Sequence, residues 1–418
     1  MESIMSMNTS EPKSFPDIPN RNENKKDKMN LRELTNKFNI NLRKTKINEY
    51  MSSKRKMKLD RINYENPLVP YDIKLLADEL IKGLQENFTS YDPDNVLGKI
   101  FYCVQKMEVK DALYLLEKNF IFIAKNLLLY HIGSPDVALS ILINVFNYEK
   151  AEIQQYADGI LEREYSDILY NLFITTEDEV IQTDILWLFG NIFSFRIDLI
   201  LPFIRNEQRF YNEIIKIIHP DKVRINSEIA ENSIRLLYKF TLIKYDDNFT
   251  DDIKNLFRSF IEVFKIYFDL AKEQIDIKLY TVNGLANILK FGEKSSHFLT
   301  TDLEEIPNDF ILKLIDFNAY KETNLDHQFL SLLSNLAELF EGIFLNAPIS
   351  RINALYDPLI FNFIFNSYFK MQEEGSNLDA NLKKEIIQVK SKLFSLVILF
   401  IQFYETYAER FIKSKLLF

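Results

Sequence analysis

The segment Trp187-Leu-Phe-Gly-Asn191-Ile-Phe decides the predicted fold, because four other parts of the chain repeat its pattern. Each segment has apolar residues at helical spacing and a polar residue at its fifth position. The other four segments are Ser140-Ile-Leu-Ile-Asn144-Val-Phe, Ile234-Arg-Leu-Leu-Tyr238-Lys-Phe, Asn283-Gly-Leu-Ala-Asn287-Ile-Leu and Ser331-Leu-Leu-Ser-Asn335-Leu-Ala. Their fifth positions are 47, 47, 49 and 48 residues apart in chain order. This part of the sequence is therefore a series of repeated helical units.

This repeat predicts an all-α fold built by stacking. Its period lies at the upper edge of the armadillo and HEAT range of about 40–47 residues, so residues 72–418 hold about seven units. Each unit buries its apolar face only against its neighbours, and we expect a right-handed superhelical solenoid with one continuous concave surface. Only 9 Gly and 12 Pro occur in 418 residues, which favours long helices with short connections. Gly159 is expected where two short helices bend sharply.

The N-terminal part of the chain differs from this body. Residues 1–27 have a composition typical of disorder, residues 28–62 form a basic arm with helical periodicity, and residues 63–71 form a linker. Residues 1–62 hold 15 Lys and Arg against 8 Asp and Glu, whereas the rest of the chain has a balance of −16. A basic arm on an acidic body is attracted to that body, to an acidic partner, or to each in turn.

Several functional classes are disfavoured. The only cysteine, Cys103, excludes an internal disulfide and is more typical of a buried apolar side chain than of a nucleophile. The sequence leads us to expect no signal peptide. The apolar run at residues 393–401 is half as long as a helix that spans a bilayer, so we expect a buried core helix there. No phosphate-binding loop, dinucleotide fingerprint, nucleophile elbow or metal-ligand spacing occurs. We expect a soluble intracellular protein that is not an enzyme and needs no cofactor or metal.

Two features together resemble importin-α, also called karyopherin-α. The arm motif Leu42-Arg43-Lys44-Thr45-Lys46, followed by Lys54-Arg55-Lys56, resembles the family's importin-β-binding segment. The pair Trp187 and Asn191 resembles the third helix of the family's armadillo repeats. With the repeat period, the resemblance covers roughly residues 25 to 390 and indicates a divergent, shortened member.

The resemblance implies a nuclear import adaptor that shuttles between cytoplasm and nucleus. Family asparagines hold the backbone of a basic localisation peptide, and tryptophans hold its Lys and Arg stems. The matching cargo-groove positions here are Asn144, Trp187, Asn191, Asn287 and Asn335. The matching importin-β-binding positions are Arg32, Leu42, Arg43, Lys44 and Lys46, and the autoinhibitory positions are Lys54, Arg55 and Lys56. The implied partners are importin-β, basic localisation peptides and an exporter of the importin-β superfamily, without nucleic acid or membrane insertion.

The chain also departs from the family pattern. Only Trp187 matches the family's tryptophan position. In the other four segments the corresponding residues are Ser140, Ile234, Asn283 and Ser331. Tyr238 replaces the asparagine of the third segment, and the family's acidic groove residue falls near Phe195, with Asp198 as the nearest carboxylate. The arm carries fewer arginines, and the stack ends early. We therefore expect a partly eroded groove with weaker or narrower cargo binding.

Other interpretations remain open. An armadillo or HEAT interaction scaffold would keep the fold without transport, and the lost tryptophans favour it, whereas the retained arm motif argues against it. A nucleic-acid-binding arm is a third interpretation, which the acidic body disfavours. Locally, Trp187 is also compatible with a core position, and the asparagines with helix capping or solvent exposure.

Overall fold

The computed structural model describes ten stretches of the chain. They are residues 72–86, 92–104, 108–219, 228–243, 251–270, 274–292, 308–314, 325–346, 358–374 and 380–403. Helices make up 87% of these residues, and none of them lies in a strand. The prediction of an all-α protein is therefore confirmed. All of the described residues belong to one unit of the chain, Leu59–Phe418.

The helices are numbered in chain order. They are α1 (Ile73–Gln85), α2 (Pro93–Val104), α3 (Val109–Glu117), α4 (Phe120–Leu129), α5 (Pro135–Val145), α6 (Ala151–Gln154), α7 (Ala157–Leu161), α8 (Arg163–Thr175), α9 (Glu179–Phe195), α10 (Ile200–Asn206), α11 (Gln208–Ile217), α12 (Glu228–Phe240), α13 (Asp251–Leu270), α14 (Ile275–Gly292), α15 (Asn308–Leu314), α16 (His327–Asn346), α17 (Pro358–Glu374) and α18 (Ala380–Phe403). A 3-10 turn, Ile197–Leu199, connects α9 to α10.

A row of helices carries the sequence repeat. In the row, which consists of α2, α5, α9, α12, α14, α16 and α18, each helix packs against the next. The five repeated segments lie on its five consecutive middle members, α5, α9, α12, α14 and α16. The period of the sequence therefore corresponds to helices that pack on one another in chain order.

Helix α9 shows how the row is held in place. Phe189 and Phe193 pack on Phe203 of α10, each with ring centroids 5.1 Å from it. Phe193 also lies 5.6 Å from Phe240 of α12. Residues two apart on a helix point in nearly opposite directions, so this aromatic cluster leaves Trp187 on the other side of α9. The phenylalanines thus fix the orientation in which α9 presents its tryptophan.

Specific polar contacts position the starts of two row helices. The backbone N–H of Ser134, just before α5, donates to Asp94 Oδ1 of α2 at 2.6 Å. Gly133 precedes it with a φ of +69°, and a Cβ there would lie 3.0 Å from the same oxygen. A side chain at this position would be strained by its backbone conformation and would crowd Asp94. Asp178, the residue just before α9, caps that helix, because its side chain accepts from the Val180 N–H at 2.9 Å.

The apolar run at residues 393–401 lies within α18, as predicted, but is only partly buried. Leu393, Leu396 and Val397 are buried, whereas Phe394 and Ile398 are exposed. In the described part of the chain, no single helix is long and apolar enough to cross a membrane. One pair of helical segments, Glu179–Phe195 and Ile197–Asn206, is together long and apolar enough, but it is bent by 112° at the break between them.

Two helical glycines allow a matched test of how closely α13 packs on α14. A Cβ at Gly284 of α14 would lie 2.4 Å from Phe264 of α13, whereas a Cβ at Gly342 of α16 would meet nothing within 4 Å. We expect Gly284→Ala to lower the free energy of unfolding by about 1–3 kcal/mol through overpacking. Gly342→Ala should raise it by about 0.5–1 kcal/mol, because alanine favours the helix. Urea unfolding measures both, and equal effects would contradict the close packing of α13 on α14.

Candidate functional site

The four asparagines predicted for the groove all lie on the helix row. We call them the row asparagines: Asn144 of α5, Asn191 of α9, Asn287 of α14 and Asn335 of α16. Helix α12, between α9 and α14, carries Tyr238 at the corresponding position. The sequence repeat therefore places one polar side chain at an equivalent position on consecutive packed helices.

The predicted arm lies outside the described residues. The predicted disordered N-terminus (1–27), the basic arm (28–62) and the linker (63–71) are all outside them. So are the arm residues Arg32, Leu42, Arg43, Lys44, Lys46, Lys54, Arg55 and Lys56. The structural account of the site therefore concerns the helix row alone.

Two row asparagines connect neighbouring helices of the row. Asn191 Nδ2 donates to the Ile143 carbonyl at 3.1 Å, in the last turn of α5. Carbonyls in a last turn lack partners within their own helix, so the Asn191 amide satisfies one of them. Asn287 Nδ2 likewise donates to Thr241 Oγ1 at 3.1 Å, just after the end of α12. These two side chains have a structural role in joining successive units.

The other two row asparagines make contacts inside their own helices. Asn144 Nδ2 donates to the Ser140 carbonyl at 2.7 Å, one turn earlier in α5. Asn335 Nδ2 lies 3.4 Å from Ser331 Oγ, one turn earlier in α16. Both side chains are half-buried rather than enclosed. An amide in this setting can exchange such local contacts for those of a peptide backbone, since it offers both donors and an acceptor.

Trp187 is covered by an arginine that sequence reasoning did not select. The guanidinium carbon of Arg235, on α12, lies 5.1 Å from the centroid of the Trp187 ring. Arg235 Nη2 also donates to Asn191 Oδ1 at 3.0 Å. Trp187 and Arg235 are 6% and 5% exposed, and Asn191 is 1% exposed. Trp187, predicted to hold a cargo Lys or Arg, and Asn191, predicted to hold the cargo backbone, thus both contact a cation of the chain itself.

The Arg235 guanidinium is buried without an ion pair among the described residues. Its other near contact is Asn232 Oδ1, 3.5 Å from Nη1. Its Nε has no hydrogen-bond partner in the described part of the chain. Burial lowers the pKa of Arg235, an effect that the charges of Tyr280 and Glu231 oppose. Arginine side chains stay protonated in proteins, so the group buried here is a cation.

Three of the positions that depart from the family pattern have partners nearby in the fold. Ser140, the counterpart of Trp187 on α5, lies 3.3 Å from Asp184 Oδ2 of α9 through its hydroxyl. Tyr238 of α12 stacks on Tyr280 of α14 with ring centroids 5.8 Å apart. Asp198 accepts from Arg196 Nη2 at 2.8 Å, so the nearest carboxylate after Trp187 pairs with a neighbouring arginine. These side chains join row helices or balance local charge.

The described stretches contain no cluster of metal-ligating side chains, and their cysteine is not activated. The Cys103 thiol is half-buried, and burial, with smaller contributions from Asp111 and Asp72, raises its pKa to about 11. A thiol with this pKa is protonated at neutral pH and is a weak nucleophile. No group of three His, Cys, Asp or Glu side chains in these stretches is arranged to hold a metal ion.

Comparison with known protein families, curated proteins and solved structures finds no match to this chain. The resemblance to importin-α therefore rests on the arm motif, the Trp187–Asn191 pair and the helical repeat.

Proposed function

We propose that the chain is a nuclear import adaptor of the importin-α type. In this proposal the helix row is part of a right-handed armadillo solenoid of about seven repeats, and its concave surface binds the basic localisation peptides of cargo proteins. The arm links the loaded adaptor to importin-β, and the adaptor shuttles between cytoplasm and nucleus. The observation that carries the proposal is the presence of asparagines at the corresponding sequence position on four of five consecutive row helices.

The binding chemistry follows from those amides. An asparagine side chain offers a donor and an acceptor to a peptide unit, so a series of them holds an extended backbone without reading its side chains. The acidic body attracts basic peptides at long range. Asn144 and Asn335 are suited to this role because their present contacts are local to their own helices. Asn191 and Asn287 already join row helices, so they contribute less to cargo binding.

The arm supplies regulation in the same proposal. Lys54, Arg55 and Lys56 resemble a localisation peptide and occupy the concave surface when importin-β is absent. A tethered segment of this kind is present at roughly millimolar effective concentration, so even a weak contact competes with cargo. Importin-β removes this competitor by binding Arg32, Leu42, Arg43, Lys44 and Lys46. An exporter of the importin-β superfamily returns the empty adaptor.

Alanine substitutions of two row asparagines test the cargo site. We expect Asn144→Ala and Asn335→Ala each to weaken binding of a fluorescein-labelled Lys/Arg-rich peptide by on the order of tenfold. Stability should change little, since the side-chain hydrogen bond of each residue stays within its own helix. Fluorescence anisotropy measures the affinity, with urea unfolding as the check on stability.

A matched control exists on α4. Asn126 is half-buried, and its Nδ2 donates to the Phe122 carbonyl one turn earlier at 2.7 Å, as Asn144 does to Ser140. Helix α4 is outside the row, so Asn126→Ala should leave peptide affinity unchanged. Equal affinities for the Asn144, Asn335 and Asn126 variants would remove the row asparagines from the cargo site.

A scaffold function without transport is the second candidate. The observation that favours it is the internal use of Trp187 and Asn191 by Arg235, which leaves fewer groups for a localisation peptide. A scaffold has no need of an importin-β ligand. Binding of importin-β to the arm therefore separates the two candidates.

A further inference from the structure

We infer that Arg235 acts as a specificity-determining residue that closes the Trp187–Asn191 subsite to Lys and Arg side chains of cargo. The inference rests on the proposed function, because it concerns one position of the proposed peptide-binding surface. It goes beyond that function by stating which part of the surface does not read a basic residue. The cargo peptides that fit the chain therefore carry their basic residues elsewhere along the helix row.

The contacts of Arg235 are those that such a subsite would offer to a basic cargo side chain. A tryptophan ring attracts a cation over its face, and an amide oxygen accepts from it. The guanidinium carbon lies 5.1 Å from the Trp187 ring, and Nη2 lies 3.0 Å from Asn191 Oδ1. A second cation cannot use the same ring face and the same oxygen while Arg235 is present, both for lack of space and because like charges repel.

Other features of the chain accommodate this arginine. A Cβ at position 190 would lie 3.2 Å from Arg235 Nη2, so Gly190 leaves room for the guanidinium on α9. Asn232, one turn before Arg235 on α12, lies 3.5 Å from Nη1. No ion pair to a described carboxylate competes for the group. The ring and the Asn191 amide are therefore its main ligands.

The test compares two arginines in the full chain. Arg235→Ala removes the internal cation and opens the subsite. Arg209→Ala is the matched control, because Arg209 also lies over an aromatic ring, with its guanidinium carbon 4.5 Å from the Tyr170 centroid, but belongs to α11, outside the row. Both variants remove one positive charge, so any general gain in attraction for a basic peptide is the same in each.

We expect Arg235→Ala to tighten binding of the fluorescein-labelled Lys/Arg-rich peptide by about tenfold, the effect of one additional aromatic and charge-assisted contact. Arg209→Ala should change the affinity by less than about twofold, as for an exposed charge. Trp187 is the only tryptophan of the chain, so its emission reports the subsite directly. The peptide should change this emission in Arg235→Ala but not in the wild type.

A second variant covers the case in which Arg235→Ala does not fold. Arg235→Leu keeps an apolar stem on α12 but is too short to cover the Trp187 ring as the guanidinium does, so we expect it to bind the peptide more tightly than Arg209→Ala does. The inference is overturned if neither Arg235 variant binds more tightly than Arg209→Ala. In that case the proposed function is still supported if the wild type binds the peptide and the Asn144 and Asn335 variants bind it more weakly. Failure of every variant to bind the peptide rejects both.

Discussion

Replacing Asn191 with alanine is expected to lower the free energy of unfolding by about 3 kcal/mol. The Asn191 amide accepts a hydrogen bond from the buried Arg235 guanidinium and donates one to the Ile143 carbonyl. Hydrogen bonds to charged groups contribute about 1.5–3 kcal/mol, and an unsatisfied buried group adds a similar cost. The variant loses both bonds at a site that water does not reach. Urea unfolding followed by Trp187 fluorescence measures the change.

Asn287 supplies the control for this prediction. It also joins two row helices, but its partner is the uncharged Thr241 hydroxyl. Asn287→Ala should therefore cost about 1 kcal/mol. The double variant Asn191→Ala with Arg235→Leu should be more stable than the sum of the single effects indicates, because it no longer buries an unsatisfied cation. An Asn191→Ala cost no larger than that of Asn287→Ala would show that Asn191 does not hold Arg235.

Loss of three arm charges is expected to have the largest effect on partner binding. The triple variant Arg43→Ala, Lys44→Ala, Lys46→Ala should weaken importin-β binding on the order of a thousandfold. Each charge-assisted contact at an interface contributes about 1–3 kcal/mol, and tenfold in affinity corresponds to about 1.4 kcal/mol. Surface plasmon resonance with immobilised importin-β measures this loss.

The same arm provides a matched control. Substituting Lys54, Arg55 and Lys56 with alanine also removes three positive charges, but from the segment assigned to autoinhibition. Importin-β affinity should then change by no more than a few-fold, apart from the general electrostatic effect that salt screens. An equal loss in the two triple variants would mean that importin-β reads only the charge of the arm.

The helix row was predictable because its signal is local. Apolar residues at helical spacing define each segment, and the regular period shows that the segments are equivalent members of a stack. The acidic run Glu177-Asp-Glu at the start of α9 is also a local signal, because carboxylates favour the N-terminus of a helix. The prediction of a sharp bend at Gly159 was wrong, since Gly159 lies inside α7 and the break between α6 and α7 falls at Gln155 and Tyr156. A single glycine therefore does not determine where one helix ends and the next begins.

Arg235 could not be assigned from the sequence. It is a single basic residue in the apolar segment Ile234-Arg-Leu-Leu-Tyr238, and such a residue usually points to solvent. Its burial depends on Trp187 and Asn191, which lie more than forty residues earlier and meet it only when α12 packs on α9. The position of a charged residue inside an apolar repeat was the one available signal. The burial of Asn191 has the same tertiary cause.

The most direct test of the adaptor function is the affinity of the full chain for the Lys/Arg-rich peptide with and without saturating importin-β. Fluorescence anisotropy of the labelled peptide gives both dissociation constants, with importin-β alone as the control. Displacement of a tethered competitor by importin-β should tighten peptide binding by about tenfold. The same affinity in both conditions, or no peptide binding in either, would contradict an adaptor in which the arm couples carrier to cargo.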